Sequence, residues 1–235
     1  MINKMHKTPE KIAFELDMSF ELANAIRRSV AEIPILAVDE VDIYKNDSAL
    51  YDEYVSHRIG LMPLKNQKLG KDKTISLKLK SKGEGNKTEV LSGEFGKDVV
   101  YEDMPLVLLG KDQEIEVVAR AKQGKGVEHA KYIPGLAYYR NACKIKIDKE
   151  GEKHSELAEI YPNIFEFDGK LKVKNSWACD LDQDDVKSFK GISIDETGNL
   201  VFIIESWGQI KPEEIFLESI KALKDNLDEL SKALK

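Results

Sequence analysis

Histidines, cysteines and acidic pairs are the side chains of this sequence whose chemistry is most often catalytic or metal-binding. The histidines are His6, His57, His129 and His154. None belongs to a His-Glu-x-x-His motif or stands beside a Cys-x-x-Cys pair, so the spacing typical of a zinc site is missing. Cys143 and Cys179 are far apart in sequence, and a chain of 235 residues needs no disulfide scaffold to bury a core. We therefore expect neither a zinc site nor a disulfide framework.

Two further patterns resemble catalytic motifs, but each lacks a necessary part. Gly124-Lys125-Gly126 looks like the end of a phosphate-binding loop, yet the upstream glycine is missing and Gly126 stands where Ser or Thr would bind magnesium. The acidic run Asp180–Asp185 has the residue type of a hydrolase dyad, but such runs are typical of solvated loops. These patterns predict no catalytic site on this chain.

The composition restricts the partners of the chain. The formal net charge is -6 and the pI is about 5.4, so like charge disfavours a broad contact with a phosphate backbone. Residues 1–10 lack the apolar stretch of a signal peptide, and no apolar run reaches the length of a membrane span. We expect a cytoplasmic protein that does not hold nucleic acid directly.

Strand-like and helix-like periodicities alternate along the chain. Residues 11–17 alternate between apolar and charged, which predicts a strand. A helix is predicted next, with Ser19 as its N-cap and Pro34 as its end. Its apolar positions are Leu22, Ile26, Val30 and Ile33. Further strands are predicted at Ile35–Tyr44, Ile75–Leu79, Glu114–Arg120, Cys143–Ile147, Leu171–Val173 and Leu200–Glu205.

The last predicted helix has the most regular pattern in the chain. Pro212 fits its first position. Its apolar residues are separated alternately by four and three positions, which is heptad spacing. They are Phe216, Ile220, Leu223, Leu227, Leu230 and Leu234. We call this set the seam. The pattern allows the seam to pack within this chain or on a helix of a partner chain.

Two segments in the middle of the chain mix Gly and Pro with histidine and basic residues. They are Ser56–Leu64, which contains His57 and Arg58, and Gly124–Pro134, which contains His129 and Lys131. Taken alone, each predicts an ordered loop with a hydrogen-bonded histidine.

Several segments together resemble the α-type assembly subunits of RNA polymerase, which include the bacterial α subunit, the eukaryotic third-largest subunit and the archaeal D-type subunit. The segment His57-Arg58-Ile59-Gly60-Leu61-Met62-Pro63-Leu64 is the most specific, in a form typical of the archaeal and eukaryotic branch. The other segments are Phe20–Arg28 with Glu32–Pro34, Ala37–Val41, Gly126–Pro134, and Trp207-Gly208 with the final helix. The resemblance covers nearly the whole chain.

The resemblance implies an α+β fold with a discontinuous dimerisation domain. This domain would be formed by both chain ends, residues 1–40 and 198–235. A β-rich domain of residues 41–152 would be inserted between them, followed by a degenerate ferredoxin-like subdomain of residues 153–197.

The implied function is that of a non-catalytic assembly subunit of DNA-directed RNA polymerase. It would pair with the smaller subunit L and nucleate assembly of the large catalytic subunits, with small subunits N and P as neighbours and DNA met only through the complex. The implied pairing surface consists of Leu22, Ile26 and Val30 together with the seam. The residues implied to dock large subunits are Arg27, Arg28, His57, Arg58, His129 and Lys131.

The resemblance also carries an expectation about cofactors. Many archaeal members hold an iron–sulfur cluster on a Cys-x2-Cys-x2-Cys-x3-Cys run. The matching positions here are Cys179, Asp182, Asp185 and Phe189, so one thiolate remains and we expect no cluster. The eukaryotic type binds zinc in the inserted domain, but the corresponding region near 81–87 has no cysteine, so we expect no zinc and no other cofactor.

Two other functional hypotheses remain open at this point. The chain would be a dimerising adaptor outside transcription if its partners were not polymerase subunits. It would be a small-molecule enzyme if polar groups converged in a pocket.

Overall fold

The computed structural model describes residues 2–70 and 73–234, and the side chains of residues 5–70 and 73–234. Its strands are β1 (Ile2–Lys7), β2 (Lys11–Leu16), β3 (Ile35–Asn46), β4 (Ile75–Lys82), β5 (Thr88–Leu91), β6 (Pro105–Leu109), β7 (Glu114–Gly124), β8 (Gly135–Ile147), β9 (Phe165–Phe167), β10 (Leu171–Val173) and β11 (Ile192–Ser206). Its α-helices are α1 (Phe20–Ser29), α2 (Asp52–Gly60), α3 (Glu156–Ile160), α4 (Gln183–Val186) and α5 (Pro212–Ala233). The predicted mixture of helices and strands is confirmed.

The chain divides into two compact units, and each draws on distant parts of the sequence. Unit one comprises residues 1–24 and 137–204, and unit two comprises residues 25–136 and 205–235. These boundaries differ from the three segments that the resemblance implied. The assignment of those segments to a dimerisation domain, an insertion and a ferredoxin-like subdomain stays a prediction.

Unit one is built on a sheet with the strand order β1-β2-β11-β8. Residues 200–204 of β11 are buried on both faces, as expected of an inner strand of a sheet, and the strand predicted at Leu200–Glu205 is confirmed. On one face, the ring of Phe202 stacks between those of Phe14 and Tyr139, with centroids 5.9 and 6.2 Å away. Aromatic pairs at this spacing stabilise the fold beyond the effect of the apolar area that they bury. The aromatic stack therefore joins three strands of the sheet.

The remainder of unit one has its own small core. It consists of buried residues from α3, α4, the β9–β10 hairpin, the start of β11 and the segments between these elements, namely Leu157, Ile164, Phe165, Leu171, Cys179, Val186, Ile192 and Ile194. Short elements alone do not hold a fold in water, so this shared apolar cluster is what fixes them. This core lies within residues 153–197, whose ferredoxin-like character stays a prediction.

Unit two is built on a sheet in which β7 pairs antiparallel with β3 on one side and β4 on the other. Alternate residues of β7, namely Ile115, Val117, Ala119 and Ala121, are buried, as the period of a strand requires. The β5–β6 pair and helix α2 cover this face. The predicted strands of this region are confirmed and extended, because β3 continues to Asn46 and β7 to Gly124.

The loop predicted over Ser56–Leu64 is wrong, because most of the segment is helical. Helix α2 runs to Gly60 and then a turn leads to Met62. Val55, Ile59 and Met62 are buried at helical spacing against the sheet of unit two. The Gly and Pro residues mark the end of this short helix rather than a loop.

Helix α5 begins at Pro212 as predicted and uses only part of its surface inside unit two. Pro212, Ile215 and Ser219 are buried, and this part of the helix packs on the 3-10 turn Val30–Glu32. Beyond Ser219 the described residues of the helix are exposed or only partly buried. Within residues 2–70 and 73–234, no helix combines the length and apolarity required to cross a membrane.

The packing of α2 gives a direct test of unit two. Ile59→Ala removes a fully buried side chain and should lower the free energy of unfolding by about 2–5 kcal/mol. Tyr54→Ala, on the exposed side of the same helix, should cost under about 1 kcal/mol. Urea unfolding of both variants measures the difference. Equal losses would mean that α2 does not pack through Ile59.

Candidate protein-interaction surfaces

The seam residues of α5 are partly buried near the start of the helix and exposed towards its end. Phe216 and Leu223 are partly buried, whereas Leu227, Leu230 and Leu234 are 57, 56 and 79% exposed. With 3.6 residues per turn, the seam lies roughly a quarter turn from the buried face that contains Ile215. An apolar stripe of this kind in water is typical of a helix that packs on another protein.

The three predicted pairing residues near α1 are placed differently from one another. Leu22 is 46% exposed and belongs to unit one. Ile26 and Val30 are only 3 and 4% exposed within the chain itself, and Val30 lies in the turn on which α5 packs. Their burial means that they support the chain's own core. Only Leu22 of this set presents an apolar surface.

Three of the predicted docking residues line one groove of unit two. The groove is formed by residues of β3, α2 and the turn after β7, namely Val38, Asp39, Val41, Glu53, Ser56, His57, Gly60, Leu61, His129 and Lys131. Helix α2 directs His57 outwards because Val55 and Ile59 occupy its buried side. His129 Nδ1 accepts a hydrogen bond of 3.1 Å from the Lys131 amide and so caps the turn Ala130–Tyr132. Two segments that the sequence separates therefore meet at one groove.

A carboxylate that the sequence analysis did not select holds this turn in place. Asp39 Oδ1 lies 2.9 Å from Lys131 Nζ and accepts a hydrogen bond of 3.1 Å from the Tyr132 hydroxyl. Its Oδ2 lies 2.7 Å from Lys122 Nζ. The Lys131 side chain is only 13% exposed, so this predicted docking residue is largely committed to Asp39.

The groups around Asp39 strongly lower the pKa of its carboxyl group. The hydrogen bond from Lys122 lowers the pKa of Asp39 to about 2, with support from Lys131 and Tyr132 and against the opposing effect of burial. Burial, followed by the charge of Asp39, raises the pKa of Tyr132. The cluster is therefore a fixed ion pair at neutral pH. The only feature of the sequence that pointed to Asp39 was its position as an acid directly after the apolar run Ile35–Val38.

A second depression adjoins the groove and is mainly apolar. It is lined by Leu61, Met62, Pro63, Tyr101, Met104, Ala130, Lys131, Ile133, Trp207 and Gln209. Trp207 is about half exposed, and its amide donates a hydrogen bond of 3.0 Å to the carbonyl oxygen of Pro134. Gly208 follows at a φ of 85°, where a Cβ would lie 2.6 Å from Val100 Cγ1. Trp207 is thus held at the rim by a glycine turn.

The groove and the depression share Leu61 and Lys131 and form one continuous surface. We call it the His57 surface and define it by His57, Leu61, His129, Lys131 and Trp207. The segments His57–Leu64, Gly126–Pro134 and Trp207-Gly208, which carried much of the family resemblance, all contribute to it.

The other predicted docking residues lie at separate places. Arg58 donates a hydrogen bond to the carbonyl oxygen of Pro105 and so helps to fix α2 to β6. Arg27 and Arg28 are exposed in the last turn of α1, where positive charge interacts favourably with the helix dipole.

Two of the positions that correspond to the family's cluster ligands, Asp182 and Asp185, cap the start of α4. Asp182 caps α4, with its Oδ1 accepting hydrogen bonds of 2.7 and 3.2 Å from the amides of Asp184 and Asp185. The Asp185 carboxylate accepts in return from the Asp182 amide at 2.9 Å. Among residues 2–70 and 73–234, no group of three or more His, Cys, Asp or Glu side chains is arranged to hold a metal ion.

Comparison with known proteins identifies the family to which this chain belongs. The sequence profile of the RNA polymerase Rpb3/Rpb11 dimerisation domain matches residues 14–227, so the chain belongs to that family. It is 32% identical to the DNA-directed RNA polymerase subunit Rpo3 of Pyrococcus horikoshii, with 97% of this chain and 95% of the relative covered. It is also 32% identical to the proteins of the same name from Archaeoglobus fulgidus, covering 95 and 94%, and Thermococcus kodakarensis, covering 93 and 92%.

The Asp39 cluster makes a prediction about stability and pH. The pKa of Asp39 is about 2 in the folded chain and ordinarily 3.8. The ionised carboxylate therefore contributes fully to the free energy of unfolding above about pH 4, and this contribution is lost as the pH falls through about 2. Asp39→Asn should lower the free energy of unfolding at pH 7 by about 1–2 kcal/mol. The difference from the wild type should shrink below pH 4 in urea unfolding experiments.

A matched control is Glu116→Gln, which breaks an exposed pair with Lys80. It should change the free energy of unfolding by under about 1 kcal/mol, because solvent screens that pair. A loss in the Asp39 variant that is no larger than in this control would contradict the assignment of Asp39 as an anchor.

Proposed function

We propose that this chain is a non-catalytic assembly subunit of an archaeal-type DNA-directed RNA polymerase, corresponding to the archaeal D-type subunit. The observation that carries the proposal is the similarity over nearly the full length to proteins named RNA polymerase subunit Rpo3, within a family defined by a dimerisation domain. In this proposal the nucleotidyl-transfer site belongs to other subunits, the chain meets DNA only through the complex, and the protein is cytoplasmic.

The seam of α5 is the proposed pairing surface for a smaller homologous partner, subunit L. The exposed leucines Leu227, Leu230 and Leu234 continue at heptad spacing beyond the part of the helix that packs within unit two. Burial of each leucine against a partner helix would contribute about 1.5–3 kcal/mol before the cost of association. Leu22 of α1, in unit one, stays a separately proposed pairing residue, whereas Ile26 and Val30 are buried within the chain and are proposed to support its core.

The His57 surface is the proposed docking site for a large subunit. It combines an exposed tryptophan and Leu61 with polar groups on His57 and His129. Tryptophan in a concave, partly apolar setting is the type of residue that dominates binding energy at interfaces. Arg27, Arg28 and Arg58 are proposed to add charged contacts to the large subunits, with subunits N and P as further neighbours.

The proposed domain arrangement joins the chain ends, residues 1–40 and 198–235, in the dimerisation domain. Two packing contacts support it. Strand β2 lies beside β11 in the sheet of unit one, and α5 packs on the turn Val30–Glu32 in unit two. Residues 41–152 would then be the insertion, and residues 153–197 a ferredoxin-like subdomain.

We propose that this subdomain binds no iron–sulfur cluster. A cluster requires about four thiolate ligands, and the matching run supplies one, Cys179. The acids at two of the other positions are engaged in capping α4. Iron at stoichiometric level in the purified chain would contradict this proposal.

Substitutions on two exposed sides of α5 test the pairing surface. Leu227→Ala with Leu230→Ala should weaken binding to subunit L at least tenfold, since each leucine loses part of its burial. Both side chains are exposed in the free chain, so its fold should be unaffected. Calorimetric titration of the purified chain with subunit L measures the effect.

Leu217→Ala is the matched control, because Leu217 is 64% exposed on the same helix but lies off the seam. It should leave the affinity nearly unchanged. An equal effect of the control, or unchanged affinity in the double variant, would remove the seam from the pairing surface.

Substitution of the His57 surface separates docking from pairing. Trp207→Ala with His57→Ala should leave subunit L binding intact and reduce recovery of the large subunits in pull-downs from reconstituted mixtures. Tyr44→Ala, an exposed aromatic on β3, is the control and should leave recovery unchanged. Loss of subunit L together with the large subunits would contradict a separate docking surface.

A further inference from the structure

The two cysteines of the chain, 36 positions apart, lie next to each other in unit one. Cys143 is on β8, and Cys179 follows the 3-10 turn Ser176–Ala178. Cys143 Sγ lies 4.0 Å from the carbonyl oxygen of Cys179, and both cysteines line the same pocket. Cys179 is fully buried, whereas Cys143 is partly exposed. A long-range contact therefore creates a dithiol with one accessible sulfur.

An open pocket beside the two cysteines gives solvent access to Cys143. Its lining residues are Arg140, Asn141, Cys143, Cys179, Asp180, Leu181, Asp182, Gln183, Asp184, Ile194 and Glu196. The Arg140 guanidinium donates a hydrogen bond of 2.8 Å to the carbonyl oxygen of Trp177, which ties it to the turn before Cys179. Its positive charge helps to lower the pKa of the Cys143 thiol. A small polar oxidant can thus reach Cys143 beside a fixed positive charge.

The surroundings of the two sulfurs distinguish their roles. The hydrogen bond from the Cys179 thiol, assisted by the charge of Arg140, lowers the pKa of Cys143 to about 6. The hydrogen bond to Cys143, followed by burial, raises the pKa of Cys179. The acids Asp180, Asp182, Asp184 and Glu196 line the same pocket and act against the thiolate. At neutral pH the thiolate is on the accessible sulfur and the proton on the buried one.

We propose that Cys143 and Cys179 are a modification site that a peroxide oxidises to an intramolecular disulfide, with Cys143 as nucleophile and Cys179 as resolving thiol. The Cys143 thiolate attacks one peroxide oxygen, so that an S–O bond forms, the O–O bond breaks and hydroxide leaves to become water. The Cys179 sulfur then attacks the Cys143 sulfur. The S–S bond forms, the S–O bond breaks, and the departing hydroxyl takes the Cys179 proton as a second water. The two sulfurs lose two electrons and the peroxide gains them.

This site is independent of the proposed assembly function. Its residues belong to unit one, whereas the seam and the His57 surface belong to unit two. The disulfide would link β8 covalently to the turn before α4 and so tie together the small core that contains Cys179. Reduction by a thiol would restore the starting state.

The test uses the full chain, reduced and then treated with stoichiometric hydrogen peroxide in the folded state. Intact mass spectrometry should show the loss of two hydrogen atoms, and a non-reduced digest should contain a peptide pair joined through Cys143 and Cys179. Overturning results are a disulfide between chains, a gain of oxygens at Cys143 with Cys179 still free, or no reaction under conditions where the unfolded chain reacts.

Single variants separate the two roles. Cys179→Ser should accumulate a sulfenic acid at Cys143 that dimedone captures, and Cys143→Ser should leave the buried Cys179 unreactive.

The reaction of the wild type should rise with pH through about 6 and level off above 7. Arg140→Gln should move this profile to higher pH, and Arg140→Lys should restore part of it. An unchanged pH profile in Arg140→Gln would mean that Arg140 does not lower the pKa of Cys143. The mass measurement on the wild-type chain tests the disulfide even if a cysteine variant fails to fold.

Discussion

Asp39 is the extra residue in the antiparallel pairing of β3 with β7. Val38 pairs with Ala121 and Glu40 with Arg120, so the register shifts across Asp39. A bulge of this kind redirects a side chain and increases the local twist. Here it places the Asp39 carboxylate among Lys122, Lys131 and Tyr132. The turn that follows β7 is therefore anchored to β3, and the groove beside α2 has a fixed wall.

The division of α5 into two sides explains how one helix serves both the fold and an interface. Pro212, Ile215 and Ser219 fix the start of the helix within unit two. The seam continues for several turns past that contact, and the chain itself offers it only partial burial at Phe216 and Leu223. A helix whose apolar stripe exceeds what its own unit can cover requires a partner, and membership of a dimerisation-domain family agrees with this requirement.

Local patterns in the sequence predicted the features that depend on local periodicity. Alternation identified β2, a run that is apolar on both faces identified the buried part of β11, and Pro212 with heptad spacing identified α5. The strand-like segments at Ile35–Tyr44 and Glu114–Arg120 identified β3 and β7. Helix α2 was missed because its two turns contain a histidine, an arginine and a glycine, which hide the spacing of Val55 and Ile59. The bulge at Asp39 and the contact of Cys143 with Cys179 depend on strand register and long-range packing, which no local pattern encodes. For the same reason the helical spacing of Ile26 and Val30 could not distinguish an interface from the chain's own core.

The central claim is that this chain assembles a polymerase, and co-purification tests it most directly. The chain would be tagged and expressed at native level, its companions identified and quantified by mass spectrometry, and the eluate assayed for promoter-dependent RNA synthesis. The account predicts a small subunit of the same family and the large polymerase subunits in a fixed ratio, together with RNA synthesis. Recovery of the chain alone, or with proteins unrelated to transcription, would contradict the account and favour a dimerising adaptor with the same fold.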